Sequence, residues 1–420
     1  MAFKIGKYFG NFKVVKDGKY VLLINIADRT FSFVIFLLLA RNFAPGEYGE
    51  VITLFTLATV FVTIFDFGLS LFLQRETAFN VYRAGELFSK VFTISLILFV
   101  VYLPALFGFA SVFYPDIPAG LIIIVAVVMY ESSFISICNK SLSGINNFKS
   151  QYNALWVSRL YILLFFIAGL FFLHFDLDSL VAIMLIGFVL NLVLLFRFLN
   201  KNDIHYTLRH FSFIEAKAIL KLSIPLGLAV LFNFMYDKID VLLISKLKDF
   251  SEVAYYNVGY GVFKSAMMSY SFMLAVGFTR VSKLSRNKRA VRLFFEKYFT
   301  VVLSISGTVS ILLYFSSNWL IKFIYSVKFI PSIPVLQILS AGLIGAALNN
   351  LTGIILNGIG LFKAVMYITL FGLIVNIILN LAFIPTYGVL AAATVTVFTE
   401  YFIFFFELYY ILKILKIKTT

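Results

Sequence analysis

Leu177-Asp-Ser-Leu-Val-Ala-Ile-Met-Leu-Ile-Gly-Phe-Val-Leu-Asn-Leu-Val-Leu-Leu-Phe-Arg-Phe-Leu199 is apolar along nearly its whole length, and its apolar residues do not alternate with polar ones. A helix rising about 1.5 Å per residue needs roughly 20 such residues to cross the hydrocarbon of a bilayer. Backbone groups in lipid find no water, so a spanning segment is either a helix or part of a closed barrel. Barrel strands alternate with period two, whereas this run has no such period, which selects the helix. Comparable runs recur over 20–42, 48–73, 87–110, 118–138, 153–174, 218–246, 253–279, 293–316, 332–357, 364–384 and 388–412. With 177–199 they predict an all-α integral membrane protein of about twelve transmembrane helices.

Composition agrees. Of 420 residues, 61% are hydrophobic and 13% charged, where soluble domains carry about 25% charged residues. A soluble chain this apolar could not cover its surface, whereas 51 phenylalanines suit side chains that face lipid. Cys138 is the one cysteine, and His174, His205 and His210 form no zinc motif, so neither a disulfide framework nor a cysteine metal site arises within the chain. The segment Met1–Lys19 is basic (Lys4, Lys7, Lys13, Lys16, Lys19) and lacks the apolar core of a cleavable signal. It reads as a cytoplasmic amphipathic lead-in.

The formal charge of +15 raises nucleic acid as a partner, and the placement of the cations answers otherwise. With the N-terminus inside, only Arg41, Lys246, Lys248, Lys322 and Lys328 fall on the outer side. The N-terminal lysines, Arg209, Arg280, Arg286, Arg289, Lys416, Lys418 and most others fall on the cytoplasmic side. That asymmetry is the positive-inside pattern, with both termini cytoplasmic, and the charge is read as topology and contact with anionic membrane lipids. The expected lobes are 1–200 (spans 1–6) and 218–420 (spans 7–12), joined by a cytoplasmic linker over 201–217. A weak internal repeat supports two halves. Asp28-Arg29 recurs as Asp237-Lys238, Tyr48 as Tyr256 and Arg75 as Arg280, each pair 205 to 209 residues apart. Six spans per half make the repeat parallel.

Charges inside spans cost about 2.5–3.5 kcal/mol each at the bilayer centre and so mark cavities or partners. The cations are Arg29, Arg159, Lys238 and Lys264; the anions are Asp28, Asp66, Glu131, Asp237, Asp240, Glu400 and Glu407. Lys264 lies about 16 Å into span 8, at the midplane. Asn257, Gly261, Lys264, Met268 and Ser271 share one stripe of that helix, opposite Val258, Val262 and Phe263. The stripe either lines a polar cavity or packs small residues against another helix while Lys264 snorkels. Asp28 beside Arg29 is either an ion pair that orders the bundle or a cation presented to an anionic substrate. Asp237, Lys238 and Asp240 either neutralise one another or contact a ligand. Glu131 and Asp66 read as solvated near the cytoplasmic face, and Glu407 as snorkelling.

Several motifs carry a family resemblance. Leu38-Leu-Ala-Arg-Asn-Phe-Ala-Pro-Gly-Glu-Tyr-Gly49, Asp66-Phe-Gly-Leu-Ser70 with Gln74-Arg75-Glu76-Thr77-Ala78, and Asp237-Lys-Ile-Asp240 with Glu252-Val-Ala-Tyr-Tyr256 are three of them. Asn357-Gly-Ile-Gly360 and Asn380-Leu-Ala-Phe-Ile-Pro385 through Gly388 and Glu400 complete the set. Their order and spacing resemble the polysaccharide/oligosaccharide (Wzx-type) flippase family of the multidrug/oligosaccharidyl-lipid/polysaccharide exporter superfamily. The resemblance implies two six-helix lobes around a central cavity, alternating access and a polyprenyl-diphosphate-linked oligosaccharide as substrate. It implies the cell (plasma or inner) membrane as location and glycan assembly proteins as partners.

On that reading Arg29, Arg159 and Lys264 hold the diphosphate, since hydrogen bonds to charged groups contribute roughly 1.5–3 kcal/mol each. Asp28, Asp237, Lys238, Asp240, Glu400 and Asn257 are candidates for the cavity or for a coupling ion, H+ or Na+; no cofactor is expected. A multidrug/cation antiporter of the same superfamily is the alternative, and the midplane Lys264 argues against it. A membrane glycan polymerase or glycosyltransferase would need a long outer loop with clustered carboxylates or a metal motif, and the sequence has neither. Asp176 and Asp178 read as a helix-capping turn.

Overall fold

The computed structural model describes residues 12–208, 212–285 and 287–415. Of the basic residues assigned above, Lys4, Lys7, Arg209, Arg286, Lys416 and Lys418 lie outside the described residues, as does His210. Among the described residues there are fourteen α-helices and no strand: α1 Phe12–Asn42, α2 Pro45–Asp66, α3 Leu69–Phe79, α4 Ala84–Phe113, α5 Ala119–Gly144, α6 Phe148–Phe171 and α7 Leu177–Asn200 come first. They are followed by α8 Phe213–Leu247, α9 Phe250–Ala266, α10 Met268–Leu284, α11 Lys288–Ile324, α12 Ser332–Gly358, α13 Phe362–Tyr387 and α14 Val389–Leu415. Eleven of these are long and apolar enough to cross a membrane. The twelfth expected span, 253–279, is divided at Met267 between α9 and α10, each of 17 residues. At about 26 Å apiece neither piece matches the roughly 30 Å hydrocarbon core.

Two compact units make up the chain. One contains Met1–Leu38 and Leu54–Phe234; the other contains Leu39–Thr53 and Met235–Thr420. The divisions fall inside α1, α2 and α8, so the turn joining α1 to α2 belongs to the second unit. α8 begins at Phe213, within the stretch expected to be a linker.

In the first unit, α5 packs on α3, α4 and α7. Tyr102 and Tyr130 are fully buried there; Tyr130 donates to the Ser95 carbonyl at 2.8 Å and Tyr102 to that of Ala126 at 3.1 Å. The expected second span, 48–73, breaks between α2 and α3 at Phe67 and Gly68, both in the left-handed region with φ of 48° and 77°. The break is held by α8. A Cβ on Gly68 would stand 2.4 Å from the Gly227 nitrogen, and one on Gly227 would stand 2.5 Å from the Phe67 carbonyl carbon. Two chains cross there at backbone contact, which only glycine permits. Pro104 and Pro225 each lie inside one continuous helix.

In the second unit, α12 is central and packs against α9, α10, α11 and α14. The Arg41 guanidinium donates to the Phe323 and Ile324 carbonyls at the C-terminal end of α11, satisfying carbonyls that the helix leaves unpaired. Lys248 donates to the Pro385 carbonyl at 2.9 Å, and Glu252 accepts from the Val389 amide at 3.0 Å. The α8–α9 turn thereby clamps the α13–α14 turn, joining two motifs that lie more than a hundred residues apart in sequence.

Asp176 does cap α7, accepting from the Ser179 amide at 3.1 Å. Hydrogen bonds from Ser179 hold its carboxyl below the usual range. Gly227→Val is expected to destabilise the first unit by roughly 1–3 kcal/mol through overpacking. The measurement is the thermal unfolding midpoint of detergent-purified protein; an unchanged midpoint would show that the Gly68–Gly227 crossing does not constrain the fold.

Candidate functional site

The sequence-assigned charges gather in two places, one in each unit. In the first unit, α1, α5, α6 and α7 enclose a pocket of about 330 Å³ lined by Asp28, Ser132, Ser136, Asn139, Lys140, Ser143, Gln151, Arg159 and Asn191, with Ile24, Ile135, Leu155 and Phe188. Arg159 pairs with Asp28 at 2.6 Å, and its guanidinium lies 4.8 Å from the Phe188 ring centroid, a favourable cation–π distance. Asp28 therefore pairs across helices with Arg159. Its neighbour Arg29 is exposed on α1 and does not line this pocket.

Three buried polar atoms of pocket residues have no hydrogen-bond partner: Arg159 Nε, Asn139 Oδ1 and Asn191 Oδ1. Asn191 is only 3% exposed. Buried groups of this kind are ordinarily satisfied, so donors and acceptors are left over for a polar guest. Lys140 adds a second cation. Chemically, the pocket can receive hydroxyls and an anion together.

In the second unit, α8, α9, α12, α13 and α14 carry a polar network. Lys264 forms an ion pair with Asp237, which also accepts from the Tyr260 hydroxyl at 2.8 Å. The Lys238 and Lys264 ammonium groups each lie 5.3 Å from the Tyr260 ring centroid. One turn on, Asp240 is 3% exposed and accepts from Tyr256 at 2.6 Å, Asn380 at 2.7 Å and Thr396 at 2.8 Å. Asn380 also donates to Asn376 at 2.9 Å, while its own Oδ1 is buried without a partner. Glu400 accepts from Asn349 at 2.8 Å. Asn257 donates to the Tyr48 hydroxyl at 3.0 Å.

The stripe through Asn257, Gly261 and Lys264 is partly exposed, while Val258, Val262 and Phe263 are buried. The helix ends two residues after Lys264, at Ala266, and Met268 and Ser271 continue on α10.

Three expectations are corrected. Glu407 does not snorkel: it is 1% exposed and accepts from Thr352 of α12 at 2.6 Å, because α14 turns that face toward α12. Glu131 is buried in the middle of α5 with Oε2 unpaired, so it is not solvated at a helix end. Asp66 is half-buried and accepts from Ser70 at 3.2 Å and Ser133 at 3.4 Å; protein hydroxyls take the place of solvent.

Sequence reasoning missed Lys140, Asn139, Gln151 and Asn191 in the first pocket. Asn191 carried a signal, since a lone amide within the apolar run 177–199 needs a partner in lipid. Asn380 was noticed only as part of a motif, and Thr396 left no signal at all.

The described residues form a multi-pass helical membrane protein in two units, each with polar side chains gathered inside it. The chain belongs to the polysaccharide biosynthesis protein family, whose model matches residues 38–334. It is similar to the uncharacterized membrane protein MJ1375 of Methanocaldococcus jannaschii, with 23% identity over 96% of this chain and 98% of that one. A second protein of that organism, the uncharacterized membrane protein MJ1068, is 31% identical over 129 residues, which are 31% of this chain and only 25% of that one.

Two solved structures share the fold. An inward-facing multidrug resistance MATE family transporter superposes with a TM-score of 0.77 at 16% identity, covering 93% of this chain and 96% of that one. The lipid II flippase MurJ in an inward closed conformation gives 0.73 at 15% identity, covering 93% of this chain and 87% of that one.

Removing the Asp240 carboxylate strands the Tyr256, Asn380 and Thr396 donors. Asp240→Leu is therefore expected to cost at least about 2 kcal/mol, given roughly 1–3 kcal/mol for a buried group left unpaired, whereas Asp240→Asn keeps an acceptor and loses less. Thermal unfolding of the two variants in detergent gives the order; equal midpoints would show that the network does not hold α8, α13 and α14 together.

Proposed function

We propose that this protein is a flippase that carries a polyprenyl-diphosphate-linked oligosaccharide from the cytoplasmic to the outer leaflet by alternating access, for surface polysaccharide or glycan assembly. Membership of the polysaccharide biosynthesis family and the exporter fold support the broader reading, a membrane flippase or exporter of the MOP type. The observation that carries the narrower one is the first unit's pocket, with its two cations, its hydroxyl and amide lining and its unpaired Asn139, Asn191 and Arg159 atoms. A glycan carries many hydroxyls, and burying one unpaired costs about 1–3 kcal/mol on mutational scales. A pocket rich in amides supplies the missing partners.

The resting pair Arg159–Asp28 keeps a guanidinium in that pocket at low electrostatic cost. An incoming phosphate oxygen would compete with Asp28 for Arg159, and Arg29 next to it on α1 would meet the diphosphate at the exposed face of the same helix. In the second unit Lys264, balanced by Asp237, offers the same exchange to an anion. Organic cations would find no free carboxylate at either pair, which disfavours the multidrug reading.

In a translocation assay with lipid-linked sugar in proteoliposomes, Arg159→Ala and Lys264→Ala are each expected to cut transport about tenfold, the loss of roughly one charge-assisted hydrogen bond. Full transport by both variants removes these cations from the mechanism. Drug-cation efflux by the wild type would replace the flippase reading with the antiporter.

Transport needs a driving force, and Asp240 is the proposed seat of the coupling ion, H+ or Na+. Its carboxylate is buried among the Tyr256 and Thr396 hydroxyls and the Asn380 amide, an ionisable group screened from lipid that a proton or small cation could reach in one state of the cycle. Asp240→Asn is expected to transport at a rate insensitive to an imposed pH or sodium gradient. A variant whose rate still follows the gradient would place coupling elsewhere, with Glu400 and Asp28 the next residues to substitute.

A further inference from the structure

The N-terminal part of α8 faces α4 in the first unit, and the two leave an apolar groove of about 490 Å³ between them. Its walls are Ile94, Ile97 and Leu98 of α4 and Leu220 and Ile224 of α8, and Lys217 and Lys221 stand on its rim. Lys90 of α4 pairs with Glu215 of α8 at 2.9 Å and with Glu86 at 2.5 Å. That bridge fixes the level at which the groove begins and uses up both nearby carboxylates. Lys217 and Lys221 are exposed, and among the described residues neither lies within ion-pair distance of a carboxylate. They sit one helical turn apart, where like charges repel, so an anion between them relieves that repulsion.

α8 has 35 residues, about 52 Å of helix against a hydrocarbon core of roughly 30 Å. Its first turns must therefore reach headgroup depth, with lysines at the polar boundary and the groove running from them into the hydrocarbon. Phe213 and Ile214, 79% and 84% exposed, suit the headgroup–acyl boundary as an interfacial anchor. An apolar groove facing lipid does not stay empty, and a cationic rim selects the headgroup.

We infer that this groove is a binding site for an anionic phospholipid of the surrounding bilayer: one acyl chain lies along Ile94, Ile97, Leu220 and Ile224, and the phosphate rests on Lys217 and Lys221. The lipid splints the start of α8 to α4. α8 is also the helix that carries Asp237 and Asp240, so the lipid acts on the element to which the carboxylates of the second unit are attached. The site is separate from the Arg159 pocket, and it stands whether or not the transported substrate is a glycan.

The test uses full-length purified protein and native mass spectrometry with phosphatidylglycerol, phosphatidylcholine and a polyprenyl phosphate as probes. Wild type is expected to retain phosphatidylglycerol in preference to phosphatidylcholine. The double variant Lys217→Gln/Lys221→Gln is expected to weaken that retention about thirtyfold, the loss of two lysine contacts to an anionic headgroup. Leu220→Trp, which fills the groove and leaves both lysines, is expected to expel the same lipid. Thermal unfolding of each variant checks that it is folded.

Equal retention of both phospholipids by the wild type overturns the inference, as does undiminished phosphatidylglycerol retention in the double variant. Preferential retention of the polyprenyl phosphate would assign the groove to a substrate tail and overturn it as well.

Discussion

Every polar group that enters the hydrocarbon must find its partner within the protein, and that constraint shapes both the backbone and the side chains here. For the backbone it leaves only helices. For the side chains it turns several intramembrane charges toward another helix. Asp240 is ringed by donors from α9, α13 and α14, Glu407 by a hydroxyl of α12, and Arg159 by Asp28 of α1. The same contacts that keep a carboxylate from facing lipid also tie helices together. Three of the buried polar atoms left without a partner, at Arg159, Asn139 and Asn191, share one pocket.

Close backbone approach is the second organising feature. The left-handed break at Phe67 and Gly68 is possible because α8 presents Gly227 to it. The clamps at the other loops are polar: Arg41 on the end of α11, and Lys248 and Glu252 on the α13–α14 turn. These loop contacts satisfy helix ends that would otherwise be unpaired. They also bring together motifs scattered through the chain, since Glu252 meets Val389 and Tyr256 meets Thr396 in space. A polar network of that kind holds helices together and still contains ionisable groups.

Much of the architecture was legible in residue order. Runs such as 177–199 could only be spanning helices, and Asp176 could be read as a cap from its place before an apolar run. The intramembrane charges announced themselves against that background, because a single Asp or Lys among apolar residues is costly unless partnered. Less could be read from residues that are unremarkable alone. Thr396 looks like any small helix residue, and Asn139, Lys140 and Gln151 look like ordinary loop-side polar residues until α5, α6 and α7 bring them to one pocket. The expected fate of Glu407 was wrong for a related reason. A residue near a helix end can snorkel or turn inward, and only the identity of the neighbouring helix decides between them.

The sequence by itself determined the class of molecule: a helical membrane protein, its spans, its buried charges and its family likeness. These follow from local hydrophobicity and from the cost of a charge in lipid, which depend on each segment alone. Only the tertiary structure decided that span 8 is cut at Met267, that Asp28 pairs across helices with Arg159, and that Asp240 is enclosed by Tyr256, Asn380 and Thr396. Hydrogen bonds and ion pairs act over about 3 Å between residues distant in the chain, so their partners are fixed by packing and leave no periodic trace in the order of amino acids.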